Sequence, residues 1–169
     1  MPKVAIITGP PGSGKTTITK SLAKTVEKSV VINADELRCL IKAGKEKPWA
    51  RNKKAEEQIE LAAKNACDLA KNFLAAGFDV FIDDVVVSKK LASLYKKMLG
   101  RKTKFFLLLP SKEILMKRDG AREKDLVMGE RAAELHGKFS SIKKRTNWHI
   151  IDSSNHTVEE SVKIIAGKL

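Results

Sequence analysis

Short runs of uninterrupted apolar residues alternate along this chain with longer stretches in which apolar positions recur every three or four residues. The short runs are Val4-Ala5-Ile6-Ile7, Val30-Val31-Ile32, Val80-Phe81-Ile82, Phe105-Phe106-Leu107-Leu108-Leu109 and Ile150-Ile151. They are rich in β-branched and aromatic residues and show no polar alternation, which suits strands buried on both faces. With their flanking residues they predict strands over 3–8, 29–33, 79–83, 104–109 and 149–152. The intervening periodicity predicts helices over 15–27, a short one from Asp35, then 51–76, 88–99, one begun by Pro110-Ser111, 130–142 and 157–168. In the long helix Ile59, Ala62, Ala63, Ala66, Leu69, Ala70, Phe73 and Leu74 share a face, and Gly77 is a natural stop. Regular strand-helix alternation implies an α/β fold, with a five-stranded parallel sheet covered on both faces. Ligands of such sheets collect at the carboxyl ends of the strands.

The first strand end carries the strongest chemical signal. Gly9-Pro10-Pro11-Gly12-Ser13-Gly14-Lys15-Thr16 is a complete Gly-x4-Gly-Lys-Thr phosphate loop between a strand pattern and a helical one. Its glycines let the backbone turn amide groups toward a phosphate, and the following helix, opening with Thr16 and Thr17, adds its positive dipole end. Lys15 is expected to reach the β and γ phosphates and Thr16 to ligate magnesium.

Phosphoryl transfer further requires a second metal-side group, a base for the nucleophile and cations for the transferred group. At the third strand end Asp83 is the candidate magnesium ligand and Asp84 a candidate substrate contact, although either carboxylate could face the metal. Asp35 follows the second strand in Asn33-Ala34-Asp35-Glu36-Leu37-Arg38 and is the candidate general base, with helix N-capping as its alternative. Arg38, one turn on, would steer Asp35 or hold an anionic acceptor. Arg118 and Arg122 are four apart and expected on one helix face, on a lid over about 118–131 that would also hold Arg131. The run Asp152-Ser153-Ser154-Asn155 lies where a nucleotide base would pack. His136, His149 and His156 have no metal-ligand spacing and read as structural or surface residues.

Bulk properties narrow the context. A length of 169 residues suits one domain, and Cys39 and Cys67 form neither a zinc spacing nor a disulfide framework. No signal-peptide or membrane-spanning pattern is present, so a cytoplasmic protein is expected. The formal net charge of +13 leaves nucleic acid open as a partner. Basic runs lie at 42–54, 89–104 and 138–145. The middle run reads most simply as a solvated helix face with its outgoing loop, whereas the outer two flank candidate site segments.

The phosphate loop, Asp35 with Arg38, Ile82-Asp83-Asp84-Val85 and the lid arginines together resemble the small P-loop kinases, a group that includes chloramphenicol phosphotransferase, zeta toxins and the kinase domain of polynucleotide kinase. Asn33-x-Asp35-Glu36-x-Arg38 is similar to the acceptor-side motif of polynucleotide kinases and zeta toxins, in which the matching aspartate is taken as the base. The segment from Gly77 to Val85, and the run from Arg118 to Asp152, are nearer the chloramphenicol phosphotransferase pattern. The resemblance implies a three-layer P-loop NTPase sandwich, ATP with magnesium, and transfer of the γ-phosphoryl group to a hydroxyl on a small-molecule or nucleotide-like acceptor. Val85 and Val86 stand where polynucleotide kinases tend to carry Thr and Asn. That departure speaks against a polynucleotide 5′-hydroxyl acceptor, the basic charge speaks for it, and nine aromatic residues offer few stacking platforms. A nucleotide-binding switch without an acceptor is the third reading.

Overall fold

The computed structural model describes residues 1–169. Its elements run β1 (Val4–Thr8), α1 (Lys15–Ala23), β2 (Ser29–Asn33), α2 (Ala34–Arg38), α3 (Lys53–Ala75), β3 (Asp79–Asp83), α4 (Lys89–Leu99), β4 (Lys104–Leu108), α5 (Lys112–Gly120), a 3-10 turn (Lys124–Leu126), α6 (Glu130–Lys143), β5 (His149–Ile151) and α7 (Val158–Ala166). All strands are parallel, in the order β2-β3-β1-β4-β5. Strand side chains alternate between two cores, which makes the fold three layers deep. Ile6, Ile82, Phe105 and Leu107 face α3, α4 and α6 with Ala66, Tyr95 and Phe139. Ala5, Ile7, Phe81 and Phe106 face α1 and α7 with Leu22 and Ile165.

Local chemistry fixes most boundaries. Asn33, Asn52, Ser88, Ser111 and Thr157 each accept a hydrogen bond from a first-turn amide, starting α2, α3, α4, α5 and α7. At the end of α3, Gly77 takes φ 87°, its amide donates to the Leu74 carbonyl, and the Phe78 amide donates to that of Phe73. The Phe73 and Phe78 rings meet edge to face at 6.0 Å, closing the stop with the apolar contact this motif favours.

Three expected details change. Helix α1 ends at Ala23 rather than at 27, because the Thr25 hydroxyl donates to the Leu22 carbonyl and the Ser29 hydroxyl to that of Ala23. Helix α3 starts two residues late, at the Asn52 cap. Leu69 is 38 % exposed, while Cys67 is fully buried. Cys67 follows Ala63 by four and precedes Ala70 by three, so it lies within the buried stripe of α3, and Leu69 falls at its edge.

The β1–β3 crevice then collects the chemistry. Register sets Ile7 beside Asp83 and Asp83 beside Asn33, so the carboxyl ends of β1, β2 and β3 lie abreast.

Candidate active site

Backbone demands build the phosphate loop. Gly9 has φ 151°, and a Cβ there would lie 2.3 Å from the Leu108 carbonyl oxygen and 2.8 Å from the Ser13 hydroxyl. Gly12, at φ 81°, passes so close to α5 that a Cβ would stand 3.0 Å from the Leu115 carbonyl oxygen and 3.2 Å from the Asp119 Cβ. Gly14 precedes α1 in the left-handed region and supplies no capping side chain. The first-turn amides of α1 are therefore left for an outside acceptor, in contrast to the five side-chain-capped helices. The Ser13 hydroxyl is buried without a partner in the same loop.

Lys15 folds back over this loop, its ammonium donating to the Pro10 carbonyl at 3.1 Å. Burial holds its pKa below the usual lysine range; Asp83 and Asp35 pull it back up, and the Arg122 charge pushes it down. Two cations repelling each other beside uncapped amides form a receptor for an anion.

Thr16 and Asp83 meet across the crevice, the threonine hydroxyl donating to Asp83 Oδ2 at 2.6 Å. Asn33 Nδ2 approaches the same oxygen at 3.4 Å. Burial raises the Asp83 pKa, partly countered by Lys15 and Thr16. No cluster of three His, Cys, Asp or Glu side chains is assembled to hold a metal. One carboxylate and one hydroxyl suit magnesium, which keeps waters and phosphate oxygens as its other ligands. Asp84 turns away from Thr16: it accepts from the Tyr95 hydroxyl at 2.7 Å and from the Val85 amide at 2.7 Å. Burial pushes the Asp84 pKa up to about 6, against the lowering effect of Tyr95.

Beyond the end of β2, Asp35 sits in the first turn of α2. Asn33 makes the cap, so Asp35 is not the capping residue and its carboxylate stays largely in solvent. Arg38 is buried, donates to the Glu46 carbonyl at 3.1 Å and stands 3.6 Å from Asp35. It thus ties Asp35 to the 45–49 segment.

The arginines divide differently from expectation. Helix α5 ends at Gly120, so Arg118 and Arg122 do not share a helix face. Arg118 donates to the Ser153 and Ser154 carbonyls, in the segment expected beside a base. Arg122 lies in the turn beyond and pairs with Asp119 at 3.2 Å. The buried Asp119 also accepts from the Met128 and Gly129 amides at 2.9 and 2.8 Å, pinning both ends of the 121–129 segment. Asp119 is a residue that sequence reasoning missed as an organiser. An acid among Lys and Arg reads as a surface ion pair until its burial is known. Arg131 pairs with Glu134 at 2.6 Å and faces the cavity that Arg122 faces.

That cavity, of about 330 Å³, unites these parts. Lys15, Thr16 and Asp83 line it together with Asp35, Arg38, Asp84, Arg122 and Arg131. Trp49, Ile59, Val85, Val87, Leu126 and Met128 give the remainder an apolar wall. No signal in the spacing pointed to Trp49 or to Leu126 and Met128 of the 121–129 segment.

A phosphate loop at a β1–β3 crevice and a five-stranded parallel sheet define a P-loop kinase-like fold. A family model described as an AAA domain matches residues 4–140, and the chain belongs to that family. No curated protein sequence matches the chain. Among solved structures, an unliganded sugar kinase from Janibacter sp. HTCC2649 is similar at 14 % identity, with TM-score 0.75, over 99 % of this chain and 94 % of that one. The tunicamycin resistance protein of Deinococcus radiodurans is similar at 18 % identity, with TM-score 0.71, over 99 % and 95 %. A chain of the Pnkp1/Rnl/Hen1 RNA repair complex is similar at 22 % identity, with TM-score 0.66, over 88 % of this chain and 47 % of that one.

Proposed function

We propose that the protein transfers the γ-phosphoryl group of ATP to a hydroxyl of a small-molecule or nucleotide-like acceptor. One observation carries this: Asp35 and Lys15 line the same cavity, so a carboxylate faces the space where an acceptor would meet a phosphate held by the loop. Backbone amides of Gly9 to Thr17 and the Lys15 ammonium would hold the triphosphate. Thr16 and Asp83 would hold magnesium, which neutralises charge between the β and γ phosphates when bound. Asp35, oriented by Arg38, accepts the proton of the acceptor hydroxyl; its oxygen forms the new bond to phosphorus as the bond to the bridging oxygen breaks, and ADP leaves. Arg122 and Arg131 neutralise the transferred group from the 118–131 lid, and Arg118 serves the nucleotide end through the 153–154 segment. Asp84 positions the acceptor.

The apolar wall around Trp49 favours an acceptor with an apolar body over a bare sugar or a phosphodiester. A polynucleotide 5′-hydroxyl held by the 42–54 run is the weaker reading, because three of the six cations there are drawn to protein carboxylates: Lys54 pairs with Glu46, Lys53 with Glu57 and Arg51 with Glu134. The sugar kinase and the tunicamycin resistance protein among the similar structures are compatible with a small acceptor. An acceptorless switch leaves Asp35 and the apolar wall without a task.

The test is labelled-phosphate transfer from ATP to a panel of antibiotics, nucleosides, sugars and 5′-hydroxyl oligonucleotides, with Asp35→Asn as control. Wild type should label an acceptor with an apolar body. The Asn variant should bind ATP normally and lose about 10²–10⁴-fold in transfer, the usual share of a general base. Label appearing only in inorganic phosphate across the panel would overturn the reading.

A further inference from the structure

A second cavity, of about 620 Å³, lies outside the candidate active site, between α4 and the end of α6. Val87 belongs to the walls of both. One bank carries Lys89 and Lys96 of α4; the other carries Arg145, just past α6. None of the three makes an ion pair, although Lys90 next door pairs with Glu60. The sequence explains the lack of counter-charge, since no Asp or Glu occurs in 88–104 or in 138–151. The 89–104 run, which reads as a solvated helix face, and the 138–145 run, expected beside the candidate site, confront each other across one groove. Ser93, Ser141, Thr146 and Asn147 add neutral hydrogen-bonding groups to its walls.

We infer that the α4–α6 groove binds the phosphodiester backbone of a single-stranded nucleic acid. Unpaired cations set on opposite banks of an open groove suit a ligand that repeats its charge along its length. Hydroxyl and amide groups between them suit phosphate and sugar oxygens. The groove's aromatic wall makes recognition independent of sequence: Trp148 is 9 % exposed and one ring face is stacked on Phe105 at 4.9 Å, so it offers no free platform for a base. This site stands apart from the phosphoryl-transfer reading, and its test uses no ATP.

Binding of a fluorescent oligo-dT and of a mixed-sequence single strand is measured by anisotropy between 50 and 300 mM salt. The groove variant Lys89→Ala/Lys96→Ala/Arg145→Ala is compared with Lys20→Ala/Lys24→Ala/Lys163→Ala, which removes equal charge from exposed positions of α1, its C-cap and α7 on the opposite face of the sheet. Because Lys96 also lies over the Phe105 ring, Lys89→Ala/Arg145→Ala is included as a variant that spares this packing. Wild type should bind both strands alike. The triple groove variant should lose on the order of tenfold or more, and its salt slope should shrink by about 2, at roughly 0.7 per phosphate released; the double variant should lose part of that. Equal losses in groove and control variants would reduce the effect to net charge and overturn the proposal. So would salt-independent binding, a strong preference between the strands, or displacement by inorganic tripolyphosphate as effective as by unlabelled strand.

Discussion

The two halves of the candidate site are built in opposite ways. The phosphate half is contiguous and made by backbone: Gly9 and Gly12 press against the Leu108 and Leu115 carbonyls, and Gly14 leaves the α1 amides uncapped. The half proposed to receive the acceptor is discontinuous and made by side chains, from α2, the 45–49 segment, the β3 end and the 121–131 segment. Asp119 joins them, since its Cβ lies against Gly12 while its carboxylate holds Arg122, Met128 and Gly129. A backbone-built half tolerates little change in any residue but gains its ligand from geometry alone. A side-chain-built half can change its ligand without changing the fold.

The largest expected effect breaks the phosphate half. Lys15→Ala removes the only cation among the residues of the loop, so ATP affinity should fall and transfer should drop by at least about 10²–10³-fold, as for loss of one preorganised charge-stabilising group. Titration calorimetry with ATP and single-turnover transfer give the two numbers. Unchanged transfer with weakened binding would mean that Lys15 holds the ground state only, and that Arg122 carries the transferred charge.

A smaller effect separates the two arginines that the sequence had paired. Arg122 faces the cavity and lowers the Lys15 pKa, whereas Arg118 is held by the Ser153 and Ser154 carbonyls. Arg122→Ala should therefore cut kcat by about tenfold to a hundredfold, less than a fully positioned arginine finger supplies, with modest change in the KM for ATP. Arg118→Ala should raise the KM for ATP a few-fold and leave kcat nearly unchanged. Identical kinetic signatures for the two variants would put them back on one functional face.

What the chain discloses follows the same division. Strand runs and the phosphate loop rest on contacts within a few residues, so Gly9 and Lys15 could be placed from spacing alone, whereas the α2 cap, for which spacing offers Asp35, falls on Asn33. Lys15 with Asp35 and Asp83 also fell where strand ends predicted, because parallel topology sends every carboxyl end to one edge. The Arg118–Arg122 relation failed because an i,i+4 rule holds only while the helix lasts, and the helix stops between them at Gly120. Asp119, Trp49 and the facing basic banks were invisible for a common reason. Burial and distant partners decide their roles, and neither is written in local pattern. Leu69 and Cys67 show the same limit inside the core, where the exact centre of the buried stripe on α3 decides which residue turns inward.

The smallest effect sharpens the division within β3 itself, where adjacent carboxylates serve different halves. Asp83 belongs with Thr16, and Asp84 belongs with Tyr95. Burial lifts the Asp84 pKa from 3.8 to about 6, so between those values the folded protein binds more protons than the unfolded chain. Stability contributed by this group accordingly falls as pH rises through that window and is lowest above about 6. The Tyr95 hydroxyl opposes the lift by donating to the carboxylate. Tyr95→Phe should raise the Asp84 pKa further and extend the window upward. In nucleotide-free, chelator-treated protein the variant should be little destabilised near pH 4, where Asp84 is protonated in both proteins. Above pH 7 the deficit should approach about 1.5–3 kcal/mol, the worth of a hydrogen bond to a charged group. Thermal melts of both proteins from pH 4 to 8 read this difference. A gap in Tm that stays constant across the range would show that Tyr95 supports packing rather than the charge on Asp84, and the two carboxylates would then be distinguished by position alone.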